Sequence, residues 1–456
     1  MRWSILVLFF ASVLSSAQES QLQADFRGEG ERFNKSCVGF KSLFGCVQLL
    51  FTDHPLHIAV GSIAPQNGFA AGPSLVAHFT PNENWKLKWD ADAVGSANGS
   101  WRAGTYMTMV RTAMPPIKVV TGAQHKPSGL KIHEYPVFKV YAQDISLNKI
   151  DFFGLGPNTT AASRSFFGMQ QAIIGSNVIW PVSKTRGLNL SLLGEVNGRF
   201  VSIRADRGES SPSIEQLYTP AVVPGLAAQP GTMQFGEGLR IKPALFNDFL
   251  KLNYLVKFQQ FVASNSAFSF RRFTGDFSHE IPLYKNAAAQ GPKETNGPDE
   301  CGADVAKPDC PSVRSSFHSI SRNRQGTLGL RLLISESVTS GGSAVPFYFQ
   351  QTLGGPDING SPSLSSFQDY RFRAPNLLLL HENFEHSLWG PIGFAFMAHQ
   401  GKVALTRGDI EFRRLRHSFA SGLTLRAGGF PQVYLLFAWG GHEGNHTIGS
   451  LNIGFI

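Results

Sequence analysis

"LNLSLLGEVNGRF", residues 188 to 200, reads as an extended segment with two unlike sides. Leu188, Leu190, Leu192, Val196 and Phe200 fall on one side; Asn189, Ser191, Glu195, Asn197 and Arg199 fall on the other. Successive side chains of a strand point to opposite faces, so period two marks a strand with one apolar and one polar face. The pattern recurs along the chain. In "WKLKWDADAV", Trp85, Leu87, Trp89, Ala91 and Ala93 oppose Lys86, Lys88, Asp90 and Asp92. In "LKLNYLVKF", Leu252, Tyr254, Val256 and Phe258 oppose Lys251, Asn253 and Lys257. "TLGLRLLIS" aligns Leu328, Leu330, Leu332 and Ile334, and "VYLLFAW" aligns Val433, Leu435, Phe437 and Trp439.

About sixteen such segments are expected, centred near residues 75, 90, 105, 142, 170, 195, 237, 254, 275, 330, 348, 379, 393, 421, 435 and 451. The apolar piece from Leu56 to Ile63 is a seventeenth strand or a lead-in. Turn-forming stretches such as "TPNEN" at Thr80, "SANGS" at Ser96 and "SGGS" at Ser340 separate many of them. Helical periodicity is scarce, so the fold class is all-β.

A soluble sandwich, a propeller and a membrane barrel all use many strands. Several segments here run about ten residues or more, the length that crosses a bilayer when tilted. Trp85, Trp101, Trp180, Trp389 and Trp439 sit near segment ends, where an aromatic belt would meet the lipid headgroups. No repeat of roughly 40 to 50 residues with a fixed signature points to propeller blades. The expectation is a transmembrane antiparallel β-barrel of about 16 strands spanning residues 56–456. Thr112–Tyr135, Ala205–Gly231 and Asn286–Ser321 are expected as long outer loops, with short turns on the periplasmic side.

The amino terminus sets the compartment. Arg2, an apolar run from Ile5 to Leu14, and Ser15-Ser16-Ala17 read as a secretory signal peptide over residues 1–17, followed by a short periplasmic segment over 18–55. An exported bacterial chain with this strand pattern is placed in the outer membrane, in contact with its lipid. Cys37 with Cys46 and Cys301 with Cys310 form two close pairs, which in an exported chain suggest local disulfides. A metal site is the rival reading; neither pair has CxxC spacing or nearby histidines. The net charge of +9 and pI near 9.4 fit a solvated surface or contact with anionic headgroups. Nucleic acid is not an expected partner of an exported protein.

No cofactor is implied, and no catalytic constellation stands out, so the chain is expected not to be an enzyme. No GxSxG elbow is present. "HENFEH" carries His381 and His386, but five residues apart on a strand they face opposite sides.

"LGGPDINGSPSLSSFQDYRFRAPNLLLL", from Leu353, resembles the sixth outer loop and following strand of the outer-membrane assembly-factor superfamily, which includes BamA, TamA, the two-partner-secretion transporters and the bacterial surface antigen barrels. "VPFYFQQTLGG" from Val345 resembles the strand that leads into that loop. "DFFGLGPNTTAASRSFF" from Asp151 resembles a motif of shorter members, and "HSFASGLTLRAGGFPQVYLLFAWG" from His417 resembles their closing hairpin. The resemblance covers roughly Asp151 to Ile456. It implies a sixteen-stranded barrel with a loop motif over Gly354, Gly355, Asp357, Leu364, Ser365, Ser366 and Phe367. Gly354 and Gly355 would be its hinge, and Phe367 an aromatic packed in the lumen. Asp369, Tyr370, Arg371, Phe372 and Arg373 would line the return into the wall. Arg371 and Arg373 share a strand face, turned to a polar lumen on one reading and to solvent at the loop base on the other.

Two departures from the family pattern stand out. The family's loop tip reads Arg-Gly-Phe, where this chain has Ser365, Ser366 and Phe367. The arginine pairs with a wall carboxylate, and serine cannot make that charge-assisted bond. The family also carries periplasmic POTRA modules, and no complete module fits between Gln18 and Leu56. In the last segment, "HTIGSLNIGFI", Leu451, Ile453 and Phe455 share a face. Gly449 and Gly454 either weaken a seam between first and last strands or simply give packing room.

The function implied by the resemblance is protein assembly, insertion or translocation at the outer membrane. Client polypeptides, or periplasmic and outer-membrane accessory proteins, would be its partners. The alternative is a passive pore or a structural, surface-exposed barrel without assembly activity.

Overall fold

The structure is a computed structural model that describes residues 55–112, 135–183, 188–205, 211–245, 250–288, 320–357, 362–427, 430–440, 443 and 446–451. The signal-peptide segment 1–17, nearly all of segment 18–55, all four cysteines, Gly454 and Phe455 lie outside the described residues.

Alternation builds one sheet. Its strands are β1 (Leu56–Ser62), β2 (Phe69–Asn82), β3 (Trp85–Ser96), β4 (Trp101–Arg111), β5 (Val137–Phe152), β6 (Ser165–Ser183), β7 (Leu188–Ala205), β8 (Thr232–Leu245), β9 (Leu250–Ala263), β10 (Phe270–Ala288) and β11 (Ile320–Thr339). After a short inner pair, β12 (Gln351–Leu353) and β13 (Phe372–Ala374), the wall resumes with β14 (Asn376–Trp389), β15 (Ile392–Ala404), β16 (Arg416–Ala427), β17 (Phe430–Trp439) and β18 (His446–Leu451). Sixteen strands hydrogen-bond in chain order, each antiparallel to the next. Thr159 and Pro157, which follow β5, hydrogen-bond to Arg371 and to Arg416 of β16 at 2.7–2.8 Å. Positions far apart in sheet order therefore meet, and the sheet curls round on itself.

The two faces sort as the pattern requires. Leu192, Val196, Phe200, Phe235, Val256, Phe273, Leu423, Leu435 and Phe437 are all exposed on the outside. Trp85, Phe138 and Trp180 form an aromatic string with both centroid gaps at 6.0 Å, at the strand ends on one rim. A water-soluble monomer rarely shows an apolar surface so extensive; a barrel wetted by lipid must. The inner face carries Asp92 paired with Arg102, Glu195 with Lys257, Asp276 with Arg331 and Glu385 with Arg426. Ion pairing lets charges sit on the inner face at tolerable cost.

Two sequence expectations need correction. Leu56–Ser62 is a wall strand, whereas the segment centred on residue 348 is not: Phe347–Phe349 is a 3₁₀ turn leading into the inner β12. The count of sixteen holds because Leu56–Ser62, left open between strand and lead-in, joins the wall while the segment near 348 leaves it. The three long connections also do not share a side. Each antiparallel step reverses direction, so the β4–β5 and β10–β11 connections open at one rim and the β7–β8 connection at the other.

Candidate functional site

The connection between β11 and β14 folds inward. Its first part packs on aromatic side chains at the lumen ends of β5 and β6. Phe347 is fully buried, with ring centroids 5.6 Å from Phe152 and 5.1 Å from Phe167. Arg272 of β10 lies over the stacked pair Phe261 and Phe270 and donates to the Phe349 carbonyl at 2.6 Å. Antiparallel pairing of Leu353 with Phe372 then closes a hairpin inside the barrel. The stretch Val345–Gly355 thus lines the lumen and is not the wall strand expected.

The hinge is glycine because nothing else fits. Gly354 and Gly355 have φ of +109° and +60°. A Cβ on Gly354 would strike the Gln368 carbonyl and Arg371, and one on Gly355 would strike Asp369. Tyr370 also holds a positive φ, +58°, and donates its backbone N–H to the Gly354 carbonyl at 3.0 Å.

The tip is pinned to β15 and β16. Leu364 and Phe367 are buried among Leu353, Phe372, Leu377, Leu379 and Val403. This explains the run of four leucines: Leu377 and Leu379 meet the loop, and Leu378 and Leu380 fall on the other side of β14. The backbone N–H of Ser366 donates to Ser418 Oγ at 2.8 Å. The Ser363 carbonyl accepts from His399 Nδ1. His399 stacks on His381 at 4.3 Å, and its Nε2 lies 3.2 Å from Asn383 Oδ1. Ser365 Oγ reaches only back to the Ser363 carbonyl, at 3.4 Å. Neutral hydrogen bonds thus hold the tip where the family pattern uses a charge. His386 faces away from His381, as strand parity requires.

The return is held by charge. Arg371 places its fork on Glu443, at 2.6 and 2.7 Å, and also donates to Thr159 Oγ1 and the Thr159 carbonyl. Its guanidinium lies 5.0 Å from the Phe153 ring centre and 4.5 Å from that of Phe372, whose ring also receives Arg416 at 4.3 Å. Gly156 donates to the Arg373 carbonyl at 2.7 Å, and Arg373 donates to the Phe347 carbonyl at 2.9 Å. Arg371 and Arg373 are both buried. Burial lowers Arg373 to about 10. Asp369 is pushed up to about 6, first by burial and then by its neighbour Asp151. Asp151 is held by Arg164 at 3.0 Å and by Gln66 at 2.6 Å. Burial also raises Tyr370, as does the adjacent Asp369. Phe372–Ala374 pair with β12, Arg373 also bridges to Gly156, and the wall resumes at Asn376. Asp357 is half-buried at the near end of the hinge.

The seam is the second feature. β1 has seven residues and the described part of β18 has six, the shortest strands of the wall. Among the described residues no ladder joins them. Gly449 lies opposite Leu435. An unjoined strand edge presents open N–H and C=O groups.

Sequence reasoning missed the anchors Thr159, Arg272, His399, Ser418 and Glu443. His399, a polar residue just after the apolar run "FAFMA", was the one local signal available.

Fold and site together define a sixteen-stranded antiparallel barrel sheet with one connection folded into its lumen. Among solved structures the chain is similar to CdiB from Acinetobacter baumannii, at 11% identity and TM-score 0.46, over 85% of this chain and 56% of that one. It is similar to CdiB from Escherichia coli, at 11% identity and TM-score 0.47, over 85% and 59%. It is also similar to BamA from Haemophilus ducreyi lacking POTRA domains 1–3, at 10% identity and TM-score 0.46, over 86% and 68%. The chain thus spans between about half and two thirds of their lengths. No protein-family model and no curated protein matches it.

Proposed function

We propose that the chain is an outer-membrane barrel of the BamA-like assembly-factor type that assembles, inserts or translocates client polypeptides. The observation that carries this reading is the inward-folded connection, with its double-glycine hinge, buried tip aromatic and charge-locked return. A passive channel has no use for so many buried anchors on one loop. The lock instead braces the wall at β14–β16, leaving the short β1 and β18 edges as the weakest joint. A client strand would add to one of those edges through backbone hydrogen bonds, with side-chain pockets secondary. Outer-membrane lipid is the expected surround.

The test is crosslinking between cysteines placed on β1 and β18, combined with trapping of a client chain at either edge. Trapped client, and loss of function when the edges are joined, support the reading. A barrel that traps nothing and conducts steadily overturns it. A second reading, a passive pore or structural surface barrel, is favoured by one observation: the tip carries Ser365 and Ser366 in place of the lumen arginine.

A further inference from the structure

Strand parity makes the outer wall apolar, and a carboxylate in the middle of it is an exception. Glu237 is the sixth of the 14 residues of β8 and shares its parity with Met233, Phe235 and Leu239, all exposed on the outside. Glu237 is itself exposed, and among the described residues it has no hydrogen-bond or ion-pair partner. A charge on the lipid face destabilises a barrel, most at the bilayer midplane. Ionisable groups at membrane depth are rare, pair with a counter-charge, and mark functional sites.

The wall is hollowed beside this carboxylate. Gly194 stands in the ladder row between Val178 and Glu237, and Ser176 stands in the next row between Val140 and Val196. These two small residues leave a notch of about 690 Å³, with Phe138, Phe235 and Phe258 at its sides. A Cβ on Gly194 would meet only one methyl of Val178, at 3.0 Å, so wall packing alone does not demand a glycine there. Gln260, diagonal to Glu237 on β9, adds an amide at the same edge.

We propose that the notch docks an apolar polypeptide segment, inserted in the bilayer beside the barrel, that turns one lysine or arginine toward Glu237. The apolar walls take its side chains, and the carboxylate accepts from its cation in a charge-assisted bond. A lipid amine fits less well. Met233 and Phe235 separate Glu237 from one rim, and Leu239 and Ile241 separate it from the other, while a lipid ammonium stays at headgroup level, outside the hydrocarbon. The inference rests on the barrel and its lipid-facing side and not on the assembly role, so the two fail separately.

The test is photocrosslinking of the full chain, with a photoreactive residue in place of Val140, to a synthetic helix of about 20 leucines and alanines. The helix carries one central lysine, or leucine at that place. Liposomes of phosphatidylethanolamine and phosphatidylglycerol keep a lipid ammonium in competition throughout. The lysine helix should crosslink several-fold more than the leucine helix. Glu237→Gln and Gly194→Leu should each erase that preference. Glu382→Gln should keep it, since Glu382 is an exposed carboxylate on β14 outside the notch. Glu237→Lys should reverse it in favour of a helix with a central glutamate. Equal crosslinking of the lysine and leucine helices would leave the notch a lipid groove and overturn the proposal. A lysine preference that survives Glu237→Gln overturns it as well.

Discussion

Arg371 and Glu443 form a two-bond fork, 2.6 and 2.7 Å, that ties the return of the inward-folded connection to the turn between β17 and β18. The arginine side chain is fully buried and the glutamate only one-fifth exposed. Water therefore screens the pair little. Removing Glu443 strands a buried cation, at a cost of about 3–5 kcal/mol. Glu443→Ala should lower the urea midpoint of the barrel in detergent, and Arg371→Ala combined with it should recover part of that loss. A double-mutant cycle with no coupling would show that the fork is not formed.

The glycine hinge should tolerate no side chain. Gly355→Ala meets both a positive φ of +60° and the Asp369 carboxylate. Backbone strain of this kind costs about 1–3 kcal/mol. Limited proteolysis of the variant is expected to cut the connection between Gly355 and Arg371 under conditions where the natural chain stays whole.

The tip anchors act through neutral hydrogen bonds, so their loss should be milder. Ser418→Ala leaves the Ser366 N–H without its partner, at about 1–3 kcal/mol for a buried donor. His399→Leu removes the bond to the Ser363 carbonyl and the stack on His381. Both variants should speed proteolysis of the tip while leaving the cleavage pattern of the wall unchanged.

Asp369 should make docking pH-dependent. Its value in the folded chain, about 6, stands above the ordinary carboxyl value of 3.8. The folded state therefore holds that proton more tightly than the unfolded one. The contribution is fully present below about 4 and is lost as pH rises through about 6. Stability measured by urea titration should fall across that window, and Asp369→Asn should flatten that part of the curve. A fall that persists unchanged in the variant would assign the dependence to another group.

Much of the barrel was legible because its rule is local. Period two in Leu188–Phe200 or Trp85–Val94 sorts lipid from lumen within a single strand, and lipid contact leaves the signal undiluted. The segment around Phe347 misled for the same reason. Its apolar residues suit a strand, but whether a strand joins the wall or folds inside depends on partners elsewhere. The hinge at Gly354 and Gly355 was implied by the family resemblance, and the positive φ at both positions gives it a physical reason. The anchors could not be read in this way. His399 lies 36 residues from Ser363, Ser418 lies 52 from Ser366, and Thr159 lies 212 from Arg371. The sidedness of the long connections needed every strand to be counted, and one missed strand would have reversed each assignment beyond it.

Nitroxide scanning along β7 tests the central claim, that lipid wets one face of each wall strand. Spin labels would be placed one at a time from Leu192 to Phe200, with the protein in liposomes and the native cysteines replaced. Oxygen accessibility should peak at residues 192, 194, 196, 198 and 200 and drop at each position between. A flat profile, or labels at 192, 196 and 200 that meet a water-soluble relaxant as readily as oxygen, would contradict the account.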